Sequence, residues 1–427
     1  MKLKQDNDDL RATWFGRVSP TWKLGRAKNA FRIISKKVGE RHSEHDLLSL
    51  TLKGIIRRDV DSGKGKFPES FDTYQEVKKS DIVFCLFDVD ETPRTVGLSR
   101  FDGMITGAYT VVRCSQTVDP RFVTYFYLSI DERKGLRPFY TGLRKVVRTE
   151  TFLNATFPFP DLSTQREIAD FLDRETARID LLIEKKQKLV AVLGEKRSTT
   201  ITEAVTGAGN RRSAEGGGGV KIQLRRVVNV GNTRSQFRED LRPYIGLEHI
   251  TSWTGEIIAS DEATPDGLIT HFKKGDILFG KLRPYLAKVT APNFNGVCST
   301  EAIVIKPSKR VITRFLRYSL SSETFIDRVN ATTFGTKMPR ANWESIGSEA
   351  IWIPDLSTQR EIADFLDRET ARIDAVKEKT LLSVDRLKEY RSALITAAVT
   401  GQIDVTTYAK SGTTDRRLDA IQEEMGA

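Results

Sequence analysis

Three cysteines in 427 residues, Cys85, Cys114 and Cys298, are too few and too scattered for a disulfide frame, and none lies at CxxC spacing. They read as small buried hydrophobes of a reducing cytoplasm rather than as metal ligands. No apolar run reaches membrane-spanning length, so neither a transmembrane helix nor a membrane partner is expected. The opening Met1-Lys2-Leu3-Lys4-Gln5-Asp6 has no apolar h-region, and no secretory signal is expected from it. A nucleotide motor would need a Gly-rich loop followed by Lys-Ser/Thr between a strand and a helix. Gly216–Gly219 has no such flanks. The Asn/Asp-Pro-Pro-aromatic motif of amino-methyltransferases is missing, as is a cofactor glycine motif. His42-Ser43-Glu44-His45 sets two imidazoles three apart with no cysteine or carboxylate set at ligand spacing. Pro265-Asp266 with Lys273 or Lys274 lacks the paired acid that a nuclease core requires. Neither a catalytic residue nor a metal ligand is therefore assigned, and no cofactor is expected on this chain.

What is present is length, charge and repetition. The chain is long enough for more than one core, and 39% apolar with 29% charged residues marks a globular composition. The net charge of +11 is unevenly placed. Residues 1–157 carry 28 basic against 20 acidic side chains, and residues 208–353 carry 21 against 14. Residues 158–207 carry 8 against 9, and residues 354–427 carry 11 against 14. The whole excess sits in two blocks, a pattern that suits two contacts with a polyanion; the alternative is a merely basic surface.

The repeat is the strongest feature. Pro160 to Asp180 and Pro354 to Asp374 are the same 21 residues, PDLSTQREIADFLDRETARID, at an offset of 194. The next 27 positions agree at 13, and both copies end in Ala-Val-Thr-Gly. Fainter correspondences reach into the basic blocks: Asp81-Ile82-Val83-Phe84 with Asp276-Ile277-Leu278-Phe279, Arg121-Phe122 with Arg314-Phe315, and Gly142 with Gly335. Each half is a divergent basic domain followed by a near-invariant segment, so the segments share one task while the domains were free to differ.

Each segment predicts a long helix. Proline precedes it, Ser163-Thr164 and Ser357-Thr358 offer capping hydroxyls, and Thr164 with Glu167, like Thr358 with Glu361, fits a capping box. Gly207 and Gly401 supply the stops. About 40 residues at ~1.5 Å each make a rod of roughly 60 Å. The apolar stripe runs through Ile168, Leu172, Ile179, Leu182, Leu189 and Leu193 in the first copy. In the second it runs through Ile362, Leu366, Ile373, Val376, Leu387 and Leu394. A stripe this narrow calls for a partner helix, and the simplest packing is an antiparallel, pseudo-twofold coiled coil of the two rods. Lys186 and Lys196 interrupt the stripe where the second copy has Thr380 and Tyr390. The competing arrangement folds each rod onto its own domain. Glu167, Asp170, Asp173 and Glu175 read as a solvated acidic face.

The expected organisation is a first recognition domain (1–157), a long helix (158–207), a Gly-rich linker (208–219), a second domain (220–353), a second helix (354–403) and a polar tail (404–427). Strands are expected at Asp81–Phe87, Tyr109–Arg113, Gly275–Phe279 and Glu301–Ile305, with an entry strand near Val220–Val230. Helices are expected at Phe122–Ser129 and Arg314–Ser321. The fold class is α+β: two mixed α/β domains separated by two long helices.

Two diverged basic domains with two conserved helices resemble the specificity subunits of Type I restriction–modification systems. The resemblance rests on Pro-Asp-Leu-Ser-Thr-Gln-Arg-Glu-Ile-Ala-Asp-Phe-Leu-Asp at 160–173 and 354–367. It also rests on Tyr244–Ile250, Gly275–Leu278, Lys281–Tyr285 and the lead-in Ser19-Pro20-Thr21-Trp22, which has no equivalent in the second half. The resemblance implies a non-catalytic, cytoplasmic DNA-binding subunit whose domains each read half of a split site in double-stranded DNA. It further implies two adenine methyltransferase subunits, which carry S-adenosylmethionine, and a motor-nuclease restriction subunit as partners. Candidate DNA contacts flank the two aligned glycines, Arg144 and Lys145 in one domain and Thr336, Lys337 and Arg340 in the other. Lys281, Arg283 and Tyr285 add a basic-aromatic turn suited to phosphates or base stacking. For each of these the alternative is a surface cation that touches phosphate at most. Two other classes remain open: a self-contained nuclease or methyltransferase, and a duplicated protein–protein scaffold.

Overall fold

The structure, a computed structural model, describes residues 11–59, 71–142, 145–208, 219–237, 243–258, 267–335 and 337–423. Most of the Gly-rich linker, Pro265-Asp266, Arg144 and Thr336 lie outside the described residues. Contacts group the chain into two units that do not follow its order: residues 1–187 with 381–427, and residues 188–380. Each unit therefore holds one globular domain and a half of each long helix.

In the first unit, a four-stranded antiparallel sheet runs in the order Phe31–Ile34, Thr110–Cys114, Ile82–Phe84, Val96–Leu98. Ile82, Val83 and Phe84 are buried on both faces, as expected of a continuous apolar strand between two layers. The helix Pro120–Glu132 covers one face. Asp119 caps it by accepting from the Arg121 N–H at 2.8 Å, and Pro120 occupies its first turn. Phe122, Val123, Phe126, Tyr127 and Ile130 recur at helical spacing and point into the core. They meet Phe31, Phe84, Phe152 and Phe157, mostly edge to face.

The second unit has two four-stranded sheets. One is antiparallel, in the order Val228–Gly231, Ala302–Pro307, Ile277–Gly280, Val289–Thr290. The other runs Arg234–Gln236, Leu268–Phe272, Gly296–Ser299, Tyr244–Ile245, with a parallel last pair. Helices Thr313–Ser321 and Glu323–Ala331 bury Phe315, Leu316, Phe325 and Ile326 against the first sheet. The faint sequence correspondences occupy equivalent places. Asp81 and Asp276 each close the turn before a buried strand, accepting from Lys78 N–H at 2.9 Å and Lys273 N–H at 2.8 Å. Gly142 and Gly335 both take left-handed φ, +71° and +91°.

The repeated segments form helices Leu162–Thr206 and Leu356–Val399. Their caps differ from expectation. Asp161 and Asp355, not the Ser-Thr hydroxyls, accept the Thr164 and Thr358 N–H groups, at 2.9 and 3.0 Å. The two threonine hydroxyls instead donate to the second carboxylate oxygens. Aspartate is among the residues preferred at a helix cap, because its carboxylate accepts from the otherwise orphaned N–H groups of the first turn.

The two helices run antiparallel. In the second unit Arg197 donates to Asp374 at 3.0 Å, and Gly194 lies opposite Lys377, three residues back on one strand of the pair and three forward on the other. In the first unit Arg391 donates to Asp180 at 2.8 Å, the same pair of repeat positions with roles exchanged. Ile168, Leu172, Ile179, Ile362, Leu366, Ile373, Leu387 and Leu394 are buried, and Leu182 and Leu193 partly so. Leu189 and Val376 are exposed, a correction to the expected stripe. Thr380, Ser383 and Val384 are the buried positions nearby instead, so the regular 3–4 step of the stripe drifts off the covered face near mid-helix. The expected alternatives for the rods are both realised: the N-terminal turns of each helix pack on their own domain, and further along each packs on the other helix.

The segment after 404 differs from the expected polar tail. Helices Val405–Lys410 and Thr413–Glu423 bury Val405 and Leu418, set Tyr408 edge-on to Phe171, and pair Asp415 with Arg178. Phe171 is thereby 3% exposed, whereas its repeat equivalent Phe365 is 43% exposed.

Candidate nucleic-acid interface

The repeated segments hold each globular domain through buried hydrogen bonds. In the first unit Gln165, fully buried, accepts the backbone N–H of Asp119 at 2.9 Å and donates to Pro160 O at 2.8 Å. In the second unit Gln359, equally buried, accepts the N–H of Ile312 at 2.8 Å and donates to Pro354 O at 2.8 Å and Arg310 O at 3.1 Å. Asp119 and Ile312 are the residues that open the two domain helices. One glutamine thus satisfies a backbone donor that burial would otherwise leave orphaned.

An ionic clasp lies one turn further on. Arg121 donates to Asp170 at 2.7 Å and Asp173 at 2.9 Å, and Tyr125 donates to Asp173 at 2.7 Å. Arg314 donates to Asp364 at 2.8 Å and Asp367 at 2.5 Å, and Tyr318 donates to Asp367 at 2.8 Å. The hydrogen bond with Asp119, then those with the helix aspartates, hold the Arg121 guanidinium above its ordinary range; Asp367 and Asp364 do the same for Arg314. Sequence reasoning treated Asp170 and Asp173 as solvated. The signal that identifies them is the shared Arg-x-x-x-Tyr spacing, Arg121 with Tyr125 and Arg314 with Tyr318, paired with identical aspartates downstream.

The capping carboxylates set a pH dependence. The Thr164 N–H and hydroxyl hold the Asp161 carboxyl below its ordinary value, and the Thr358 hydroxyl and N–H do so for Asp355. A depressed folded value means that the contribution is complete above the unfolded value, near pH 4, and is lost as pH falls through the folded one. Asparagine caps without titrating. The D161N/D355N variant is therefore expected to keep its melting temperature near pH 7 and to lose less of it than the parent between pH 5 and pH 3. Parallel melting curves across that range would refute this role.

The DNA-contact candidates fall unequally. Lys145 occupies a left-handed turn between Tyr140–Thr141 and Val146–Val147, its ammonium 3.3 Å from Asp90. Asp90 also accepts from Arg137 and Tyr140, each at 3.0 Å, and the Arg137 bond leads in holding its carboxyl below the usual range. The charge of Lys145 is thus shared with a local carboxylate.

In the second domain five candidates converge. Arg283 N–H donates to Pro339 O at 2.7 Å, Ala341 N–H donates to Lys281 O at 2.9 Å, and Leu282 bridges to Arg340. The turn Lys281–Tyr285 and the hairpin holding Lys337 and Arg340 therefore form one backbone-bonded frame. Arg283, Tyr285 and Lys337 are exposed, Lys281 is half-buried, and Arg340 pairs with Glu301 at 3.0 Å. Arg283 is left-handed, φ +50°, a conformation that costs a non-glycine residue about 1–2 kcal/mol and here aims a guanidinium outward. Such a frame of planar and ammonium cations beside an exposed phenol can engage phosphates and base edges together.

The sequence pattern of the Type I restriction modification DNA specificity domain matches residues 110–191 and 220–384, more than half of the chain. The chain belongs to that family. A relative, the Type I restriction enzyme EcoDI specificity subunit of Escherichia coli, is 22% identical over 287 residues, covering 60% of this chain and 64% of that protein. The match thus spans less than two thirds of that subunit. A solved chain from work on complex assembly and conformational transition of the type I R-M system superimposes at TM-score 0.69 and 13% identity, over 90% of this chain and 99% of that one. The HsdS subunit from Thermoanaerobacter tengcongensis superimposes at TM-score 0.52 and 14% identity, over 90% and 98%. At these identities the superpositions show a shared fold. Specificity-family membership accounts for the mixed α/β domains and the long helix pair together. No described helix is long and apolar enough to cross a membrane.

Proposed function

We propose that this chain is the non-catalytic DNA-reading subunit of a cytoplasmic Type I restriction–modification complex, each domain reading one half of a bipartite site. The observation that carries this reading is the anchoring of two unlike basic domains by one identical helix segment, Gln165 with Asp170 and Asp173 in one copy and Gln359 with Asp364 and Asp367 in the other. A constant mount beneath variable readers suits a task in which orientation on the duplex is fixed and the bases read are free to change. The long helices set the spacing, since two readers meet one side of the duplex only at a separation near a helical turn, about 34 Å.

The same helices dock two adenine methyltransferase subunits, which hold S-adenosylmethionine, and a motor-nuclease subunit completes the restriction complex. Large apolar side chains left exposed on the helices support that docking: Leu181, Leu381 and Leu382 in the first unit, and Leu189, Val192 and Val376 in the second. Adenine methylation requires extrusion of the base at a cost of a few kcal/mol, which tight binding by two readers helps to offset.

Adenine methylation mapped in cells expressing the chain with its methyltransferase is expected to fall on a split motif with an unspecified gap. Inserting seven residues into each long helix lengthens it by about 10 Å, or about three base pairs, and is expected to change the gap while both half-sites stay the same. A contiguous motif, no motif, or half-sites altered by the insertion would refute the reading. Binding indifferent to DNA and to salt would favour a protein scaffold instead.

A further inference from the structure

The hairpin that carries Lys337 and Arg340 also carries Phe334, 71% exposed, and Met338, 52% exposed. Phe334 is the most exposed large apolar side chain among the described residues. Single exposed hydrophobes are ordinary, but two on one hairpin beside a cluster of cations are not. Phe334 and Arg340 exchange both backbone hydrogen bonds, at 3.2 and 3.0 Å, and Gly335 makes the turn with φ +91°. The frame is tied down by the Arg283 and Ala341 bonds already described. The backbone that carries both side chains is thus fixed at the Phe334–Arg340 pair.

The surroundings select the occupant. Exposed Arg283 and Lys337 and half-buried Lys281 lie on the two backbone-bonded segments that carry Phe334 and Met338, which makes the frame both cationic and apolar. A duplex has the complementary pattern, phosphates outside and the apolar faces of stacked bases within. A protein surface would need an apolar socket rimmed by carboxylates. The equivalent hairpin of the first unit is different: Tyr140 is tied to Asp90, Phe139 packs on the core, and no large apolar side chain is exposed there among the described residues.

We propose that Phe334 and Met338 form a wedge that enters a base step of the half-site read by the second domain, unstacking and bending it. This rests on the DNA-reading function proposed above. Apolar wedges between base steps kink a duplex, and pyrimidine–purine steps yield most easily. The second half-site is then read partly through its deformability.

The test uses the full chain assembled with its methyltransferase subunits on a duplex bearing the mapped site. 2-Aminopurine is placed at successive steps of the second half-site, away from the methylated adenine. The parent complex is expected to raise fluorescence at one step. The F334A/M338A variant is expected to lose that signal and to bind about 10- to 100-fold more weakly, with an unchanged slope of log affinity against log salt. F334L/M338L, which keeps an apolar tip, is expected to recover part of both. Equal affinity and fluorescence for parent and F334A/M338A would overturn the wedge and leave DNA reading intact. Absence of duplex binding by the parent complex would overturn both. Both side chains are largely exposed, so their loss leaves the core in place.

Discussion

Replacing Gln165 by leucine is expected to lower the unfolding free energy by about 2–4 kcal/mol, and replacing Gln359 by leucine to do the same. Each glutamine is fully buried, and each substitution leaves a buried backbone N–H, of Asp119 or Ile312, and at least one carbonyl without a partner. Leucine matches the volume roughly, so the loss reports unsatisfied polar groups and not a cavity. The two glutamines share no partner and lie in different units, so the double variant is expected to lose about 4–8 kcal/mol. Denaturant melts of the single and double variants measure this. A loss below about 1 kcal/mol at either site would show that the domain helix does not depend on the repeat for its first turn.

A second large effect is expected at the cationic frame. The K281A/R283A/K337A variant, assembled with its methyltransferase, is expected to bind its duplex roughly 10- to 1,000-fold more weakly near physiological salt. If all three contact phosphate, the slope of log affinity against log salt falls by about 2–3, close to 0.9 for each phosphate released. A cation that reads a guanine edge behaves differently: its loss relaxes the preference at one position and changes the slope less. Arg283 is the residue to separate from the other two on this basis, because its backbone is held in the left-handed region and its guanidinium offers a bidentate fork. Unchanged affinity and slope in the triple variant would remove this face from the DNA interface.

Much of the architecture was legible because it follows from local pattern. Continuous apolar runs announced the buried strands around Ile82 and Ile277, and apolar residues at helical spacing announced Pro120–Glu132 and Thr313–Ser321. The long helices followed from a 21-residue identity flanked by proline and glycine, and Gly207 and Gly401 do take left-handed φ, +78° and +69°. Other features depend on residues far apart in the chain. Asp170 and Asp173 look like any solvated acids until Arg121, 49 residues earlier, is brought over them. Phe171 and Phe365 have identical neighbours in sequence, yet the segment around Tyr408 covers one and leaves the other bare. Likewise Leu189 and Val376 satisfy the stripe spacing but not the packing.

The amino-acid order by itself determined that the chain is duplicated and that two basic blocks alternate with two long helices. These are consequences of periodicity, capping and charge, which act within a few residues. Tertiary structure alone decided that the contact units cut across the chain, that aspartate and glutamine of the repeat clamp the domain helices, and that Lys281–Tyr285 and Phe334–Arg340 share one frame. The reason is physical: a side chain's neighbours across space set its burial, its hydrogen-bond partners and its charge state, and no local spacing encodes which distant surface will arrive.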